Sequence, residues 1–579
     1  MKPTLSIPVS RHMLKSAPYL LSIMLGMYFF SLPASTDTTD TNTSHALIKL
    51  LNSNQHPLLK QTDFSHQSND LTKLYRFYAM QPIWLGKDRS EKNIHDALTI
   101  LMNANTEGLN PVNYDAEQLH HYLQSVTIQS EIDSQTIAAY DLAVSISLLR
   151  FAHDLHSGRV DPRSFNYPQA FSTKSTLDTP ALIKSSIDQN NVDALPQALA
   201  PKTKQYSLLK QALAFYRQQS EAKPHVNLEF HTSLHPGDRD PQLPEMRSRL
   251  LEMGQLSAEE LQGIDTSDTL YDDISKAAVM RLQKQQGLNS DGFIGKQTLA
   301  LLNQTAKEKI ALIELAMERL RWLPKQPEGR QIIVNIPAFQ LWAFNSAEDD
   351  NPLTMKVVVG KAKDNQTPVL WEEMKYLEFM PYWNIPRSIM DKEIVPKIQT
   401  NNDYLTSQDI ELVDNNIADE EDDGEELDVV HHLKHGYVRA RQRPGKKNPL
   451  GKVKFIFPNQ ADVYLHDTPG RGAFTRDRRD LSHGCVRVAE AEKLAEFVLE
   501  NQSGWDKQSI QQAMIGPKTK RVSLKNTIPV LFFYTTAFAG QDNKLRFYPD
   551  IYGYDAQLQS ALNKSANQPL LGKTTTTDG

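Results

Sequence analysis

Apolar positions recur at helical spacing through the first part of the chain and at strand spacing through the last, and the texture changes near Pro324. From about residue 70 to 240 the period is mostly helical. In "DLAVSISLLRFAHDLHSGRVDP", Leu142, Ser145, Ile146, Leu149 and Ala152 fall near one face, and Gly158 and Pro162 stop the element. A second helical stretch spans 274–303. Ile274, Ala278 and Leu282 share a face, Gly287 ends that helix, "NSDGFIG" is a tight turn, and "KQTLALLN" starts another helix. The upstream "EMRSRLLEMGQL" supplies a further helix, so three short helices around a small core are predicted. After Pro324, "RQIIVNIPAFQLWAF", "TMKVVVGK", "YLEFMPYWNIP", "KVKFIFPN", "DVYLHD" and "IPVLFFYTTAF" are β-rich runs bounded by Pro, Gly and Asn. Several alternate apolar and polar residues, which predicts a mostly antiparallel sheet. Between Ile389 and Val438 the strand pattern lapses, and the acidic run 418–428, "ADEEDDGEELD", reads as a solvated loop inside an insertion.

These patterns predict a multidomain α+β protein, as does a length of 579 residues, too great for one core. The segments are a polar linker at 35–66, a helical scaffold at 67–240, a small helical domain at 241–305 and a β-rich domain at 306–579. Lys2, Arg11 and Lys15 precede the apolar "APYLLSIMLGMYFFSLPA", closed by small residues, so residues 1–34 read as a secretory signal peptide. An uncleaved membrane anchor is the alternative. The leader carries three positive charges and no acids, so its removal takes the formal net charge from −6 to −9. With mixed signs throughout, that balance argues against a nucleic-acid partner.

Export makes the cysteine count informative. An oxidising compartment favours paired cysteines, yet this chain has one, Cys485. A lone thiol is either a small core hydrophobe or a reactive group. Cys485 stands where a loop enters ordered structure, in "DLSHGCVRVAE", rather than at a periodic apolar position of a helix. A thiolate nucleophile needs a base, and His466 and His483 are the candidates. His466 can reach the thiol through the folding of the intervening loop, so His466 is read as the base and His483, two residues from the thiol, as a supporting group. The N–H groups of Gly484 and Cys485 are the natural oxyanion donors, and Arg487 adds positive potential. His466, His483 and Cys485 are also metal-ligand types, but their spacing fits none of the usual zinc patterns, and no metal or cofactor is expected.

The segment "HDTPGRGAFTRDRRDLSHGCVRV" resembles the signature of the L,D-transpeptidases, the YkuD-like domain, with Ser482, His483, Gly484, Cys485 and Arg487 matching and His466 as the upstream histidine. Gln283, Gly287, Leu288, Asp291, Gly292, Gly295 and Thr298 resemble the peptidoglycan-binding domain family. "NIPAFQLWAF", "VVVGK" with Thr367-Pro368, "PYWNIP", "RQRPG" and "FYPDIYG" resemble the large YcbB-type subgroup, which adds a capping insertion, here 389–438. The resemblance implies a periplasmic, carbapenem-sensitive enzyme of cell-wall biogenesis and cell shape. Its Cys485 attacks the diaminopimelate carbonyl of a donor stem tetrapeptide, releases D-alanine, and passes the acyl group to an acceptor stem as a 3→3 cross-link. It also implies a glycan contact through the peptidoglycan-binding domain, and orientation of His466 by the backbone carbonyl of Asp467. Arg471, Arg476, Arg478 and Arg479 make the intervening loop a candidate dock for stem carboxylates. Hydrolysis of the same acyl-enzyme, as an L,D-carboxypeptidase, and a non-catalytic wall-binding scaffold remain the rival readings.

Overall fold

The computed structural model describes residues 38–565, apart from 86–88, 128–132, 166, 169–170, 172–176, 221–225, 264, 325–327, 415–428 and 541. The leader at 1–34 and the acidic run 418–428 lie outside the described residues.

The N-terminal region is helical and built around the helix Ser134–Ser157. Asp133 caps it, accepting from the N–H groups of Gln135 and Thr136, and nearly every residue from Ala138 to Leu155 is buried. Gly158 ends it at φ +85°, where a side chain would strike Trp322 and Glu318. Part of the expected linker is ordered. Thr38–Ser53 is a helix, and its Leu47 and Leu51 are buried, as is Phe64 beyond it. The polar run from Thr38 to Ser44 masked an apolar face that begins only at Leu47.

The second core gathers Leu243, Met246 and Leu250 from one helix, Ala278, Val279 and Leu282 from the next, and Leu302 from the third. Leu228 and Leu234 also pack into it, although the sequence reading leaves both in the scaffold. Helix Ala306–Trp322, read as the start of the β-rich domain, instead bridges the regions. It opens with a Thr305–Glu308 capping box. Arg217 of the scaffold binds its Glu314 at 2.7 Å, and its Arg319 binds Asp555 near the C-terminus at 2.5 Å.

The β-rich domain contains β1 (Gln331–Asn335), β2 (Gln340–Phe344), β3 (Leu353–Gly360), β4 (Leu370–Phe379), β5 (Trp383–Asn384), β6 (Ile410–Asp414), β7 (Val438–Gln442), β8 (Val453–Ile456), β9 (Leu465–His466), β10 (Asp480–Ser482), β11 (Val486–Val488), β12 (Lys520–Phe533), β13 (Ala537–Ala539) and β14 (Leu545–Phe547). The main sheet runs β10-β3-β11-β9-β8-β4-β12-β1-β2, and an additional β2–β3 pairing closes it into a barrel-like form. Most pairs are antiparallel, as expected, but β1–β12, β9–β11 and β3–β10 are parallel. Local alternation could not reveal these, because each joins strands far apart in sequence. Met355, Val357, Leu341, Leu465, Val486 and Phe455 share the inward face and are almost wholly buried.

The insertion has structure of its own. β5, β7 and β6 form a separate antiparallel sheet, and Ile389, Met390, Ile394, Val395, Ile398, Ile410 and Leu433 make a small core beside it. The expected lapse of strand pattern between Ile389 and Val438 is therefore interrupted by β6.

Candidate active site

Strand register assembles the site. Leu465 pairs with Val486 and His466 with Arg487 in the parallel β9–β11 pair, while His466 also faces Lys454 across β8. Side chains alternate across a strand. Since Leu465 and Val486 point into the barrel, Lys454, Tyr464, His466, Cys485 and Arg487 share the outer face. Cys485, which leads into β11, thus comes to lie diagonally across from His466, nineteen positions earlier in the chain, on the same face.

His466 is buried, and its Nδ1 donates to the carbonyl oxygen of Asp467 at 2.5 Å. A carbonyl only accepts, so Nδ1 carries the proton and Nε2 is the basic nitrogen. Burial holds the imidazole pKa down to about 3, against the pull of that hydrogen bond and assisted by the charges of Arg487 and Lys454. The Asp467 side chain has a different task. It accepts from the Lys452 N–H at 2.8 Å and from Arg471 at 2.6 Å, tying the exit of β9 to its surroundings. Gly451, at φ +63°, leaves the space this carboxylate occupies.

Cys485 is partly buried against the barrel core. Burial pushes its thiol up, while hydrogen bonding with Tyr464 and the Lys454 charge work the other way. Burial thus disfavours the charged form of both the thiol and the imidazole.

The turn carrying the thiol is braced from both sides. Gly484 sits at φ +114°, a conformation that a side chain disfavours. Its carbonyl accepts from Thr367 Oγ1 at 2.7 Å, and Thr367 Oγ1 in turn accepts from the Gly360 N–H at 2.8 Å. The Tyr552 hydroxyl donates to Gly360 O at 2.7 Å and accepts from the Thr367 N–H at 3.1 Å. Ser482 Oγ donates to the Cys485 carbonyl at 2.6 Å and accepts from the Gly484 N–H at 3.2 Å. Of the two N–H groups read as oxyanion donors, that of Gly484 is thus already engaged.

His483 points away because it lies in the bend between β10 and β11; in a continuous strand its two-residue spacing would have put it on the thiol's face. It is exposed and contacts Glu393 of the insertion at 2.7 Å, on a turn of π-helix at Met390–Ile394. Arg487 comes back to the thiol's side, and its Nε is buried with no hydrogen-bond partner among the described residues. Three of the four loop arginines are occupied internally. Arg471 binds Asp467, Arg478 binds Asp480 at 2.7 Å, and buried Arg479 donates to Val357 O and Phe339 O, each at 3.1 Å. Arg476 is exposed.

Sequence reasoning missed Lys454, Tyr464, Thr367, Tyr552 and Glu393. The Lys454 ammonium lies 3.7 Å from the centre of the Tyr464 ring. The strand runs "KVKFIFPN" and "DVYLHD" contained both residues, but only pairing register puts them beside the thiol.

The pattern matches known families region by region. Residues 69–213 match a scaffold domain, 239–302 a family described as "Putative peptidoglycan binding domain", and 329–520 the YkuD L,D-transpeptidase catalytic domain. This chain carries an L,D-transpeptidase catalytic domain. A curated protein of Haemophilus influenzae named "Putative L,D-transpeptidase" is 34% identical over 284 residues, covering 48% of this chain. The match spans 55% of that relative, about half its length. A solved L,D-transpeptidase structure from Xylanimonas cellulosilytica is 14% identical and covers 53% of this chain and 100% of its own, with a TM-score of 0.17. With its L,D-transpeptidase domain the protein joins a peptidoglycan-binding domain and a helical scaffold. Among the described residues no helix is long and apolar enough to cross a membrane, and no group of three or more His, Cys, Asp or Glu could hold a metal ion.

Proposed function

We propose that this protein is a cysteine-dependent L,D-transpeptidase that joins peptidoglycan stems by 3→3 cross-links through a thioester on Cys485. The observation that supports the proposal is a histidine held in the Nε2-basic tautomer on β9, sharing one face with Cys485, which leads into the paired strand β11. The reaction begins as general-base catalysis. Nε2 of His466 takes the thiol proton as Sγ attacks the diaminopimelate carbonyl of a donor tetrapeptide. The Cys485 N–H and the Arg487 guanidinium face the developing oxyanion. Collapse breaks the C–N bond to D-alanine, whose amine takes the proton from the imidazolium, leaving the thioester. The side-chain amine of an acceptor diaminopimelate attacks the thioester, its proton passes to His466, and the thiolate leaves to be reprotonated. A thioester keeps the acyl group activated without ATP, which suits the periplasm to which the leader would direct the chain. The insertion, joined to the signature by the His483–Glu393 contact, would cap the acyl site and favour an amine over water by excluding solvent.

Intact-mass analysis of the protein mixed with a disaccharide-tetrapeptide tests this reading. The expected adduct equals the donor minus D-alanine, maps to Cys485, and disappears in Cys485→Ala. A carbapenem should occupy the same residue. An adduct that survives Cys485→Ala overturns the assignment, and hydrolysis without cross-linked product in the presence of acceptor converts the enzyme into a carboxypeptidase.

A further inference from the structure

A cavity of about 520 Å³ lies between the peptidoglycan-binding domain and the barrel. Its floor is the outer face of the β2–β3 pair, where Gln340 stands opposite Lys356 and Trp342 opposite Thr354. One wall comes from the peptidoglycan-binding domain, with Gln286 and Gln297 among its residues. Another is the Asp477–Arg479 segment leading into β10 and the thiol loop. The walls are pinned together. The Asn289 N–H donates to Asp477 at 2.6 Å, the Phe547 N–H donates to Gln286 at 3.0 Å, and Arg546 donates to Gln285 O. The groove is thus made by the joining of two domains, a preferred location for ligand sites, and its volume falls in the usual range of about 300–1,000 Å³.

Register relates this groove to the thiol. Lys356 and Val358 lie on one face of β3, and Val358 pairs with Arg487. The groove floor and Cys485 therefore share the outer face of one sheet. Gly360, at the thiol end of β3, belongs to the network that braces Gly484. From Lys356 to Gly360 is four residues, about 13 Å of strand. An extended tetrapeptide spans about 13–14 Å.

The lining also has a chemical character. Amide side chains offer both donors and acceptors, as sugar hydroxyl and acetamido groups require. Tyr548, partly exposed, adds aromatic surface for the C–H face of a pyranose ring, backed by buried Trp342. Among the described residues the Lys356 ammonium makes one hydrogen bond, to Phe474 O at 3.2 Å, so further donor capacity remains.

We propose that this interdomain groove binds the N-acetylated glycan chain of peptidoglycan and holds it one stem length from Cys485. The proposal rests on the peptidoglycan reading above and adds where the glycan sits and which two domains hold it. The peptidoglycan-binding domain then acts together with the barrel rather than as a detached anchor, and a strand in the groove presents its stem along β3 toward the thiol.

The test is calorimetric binding of uncross-linked glycan strands, stripped of their stem peptides, to the full chain. Gln297 is exposed on a helix, so Gln297→Trp fills the groove without disturbing a core. It should weaken binding by about tenfold, and Lys356→Gln should weaken it in the same direction while thermal melting stays as in the parent. Equal affinity of Gln297→Trp and the parent for the stripped strands overturns the proposal. So does the finding that free tetrapeptide, and not stripped glycan, loses affinity on filling the groove. Adduct formation on Cys485 of the parent protein is measured separately, so failure of the glycan assignment is distinguishable from failure of the transpeptidase reading.

Discussion

Two buried histidines, one in each half of the molecule, show how similar burial serves different ends. His56, in the segment before the scaffold, packs against the helix Ser134–Ser157, His466 lies in the barrel, and burial lowers the imidazole pKa of each, to about 4 and about 3. Both are therefore neutral at pH 7. His56 uses both ring nitrogens: Nε2 donates to Ala139 O at 2.8 Å, and Nδ1 accepts from the Leu58 N–H at 3.3 Å. His466 uses only Nδ1, and among the described residues its Nε2 has no hydrogen-bond partner. That nitrogen is left free to take a proton on the face that carries the lone thiol. The contrast extends to the charges. On the bridging helix, buried Arg319 and Arg321 meet Asp555 and Glu318, whereas Lys454 and Arg487 have no carboxylate within ion-pair distance among the described residues.

Replacing each histidine with glutamine should break this symmetry most strongly. His466→Gln is expected to slow Cys485 acylation by roughly 10²–10⁴, the usual loss for a general base. His56→Gln should lower the urea midpoint while leaving the acylation rate per folded molecule unchanged. Single-turnover acylation followed by mass spectrometry checks both. Similar acylation rates for the two variants would erase the distinction between the sites.

The next effect is one that the two histidines share. An imidazole whose folded pKa is depressed binds a proton more readily in the unfolded chain, whose pKa is about 6.5. Its contribution is therefore fully present above pH 6.5 and is lost as pH falls toward the folded value, with stability rising with pH in between. At pH 5 each histidine should cost about 2 kcal/mol relative to pH 7. Unfolding free energies from urea melts at the two pH values should converge by about that amount in either glutamine variant. An undiminished acid loss in His466→Gln would mean that this imidazole is solvated in the folded protein.

What could be read in advance follows the range of the interaction involved. Cys485, Gly484 and Ser482 sit within four residues of one another, and His466 ends the strand just before the loop that leads to them, so local sequence carried the constellation. The helix Ser134–Ser157 was legible because its periodicity and its stop signals are equally local. The parallel partnership of β1 with β12 joins residues some two hundred positions apart, and alternation within a strand holds no information about its partner. Thr367 and Tyr552 were in view as sequence, but their role arises from a hydrogen-bond network spanning nearly two hundred residues. Arg479 shows the opposite error. A basic loop suggested a dock for carboxylates, yet this guanidinium is buried and donates to backbone carbonyls. Charge along a sequence does not disclose which cations are already committed within the fold.

The smallest expected effect probes the charge environment that separates His466 from His56. Lys454 reaches the catalytic face from β8, on the register position opposite His466, and stands over the Tyr464 ring. Its charge favours the Cys485 thiolate and disfavours protonation of His466, so it acts in the same direction on both partners of the reaction. Glu378 and Asp462 sustain the charge of Lys454 from the neighbouring strand and loop, and Arg487 adds a second cation from β11. Lys454→Met keeps most of the side-chain volume and removes only the charge. The pH profile of Cys485 alkylation by iodoacetamide should then move to higher pH by less than about one unit, with a few-fold slower reaction at pH 7. Lys454→Arg should restore the parent profile, an outcome that simple loss of packing would not produce. If the profile of Lys454→Met coincides with that of the parent, the thiol does not sense this ammonium.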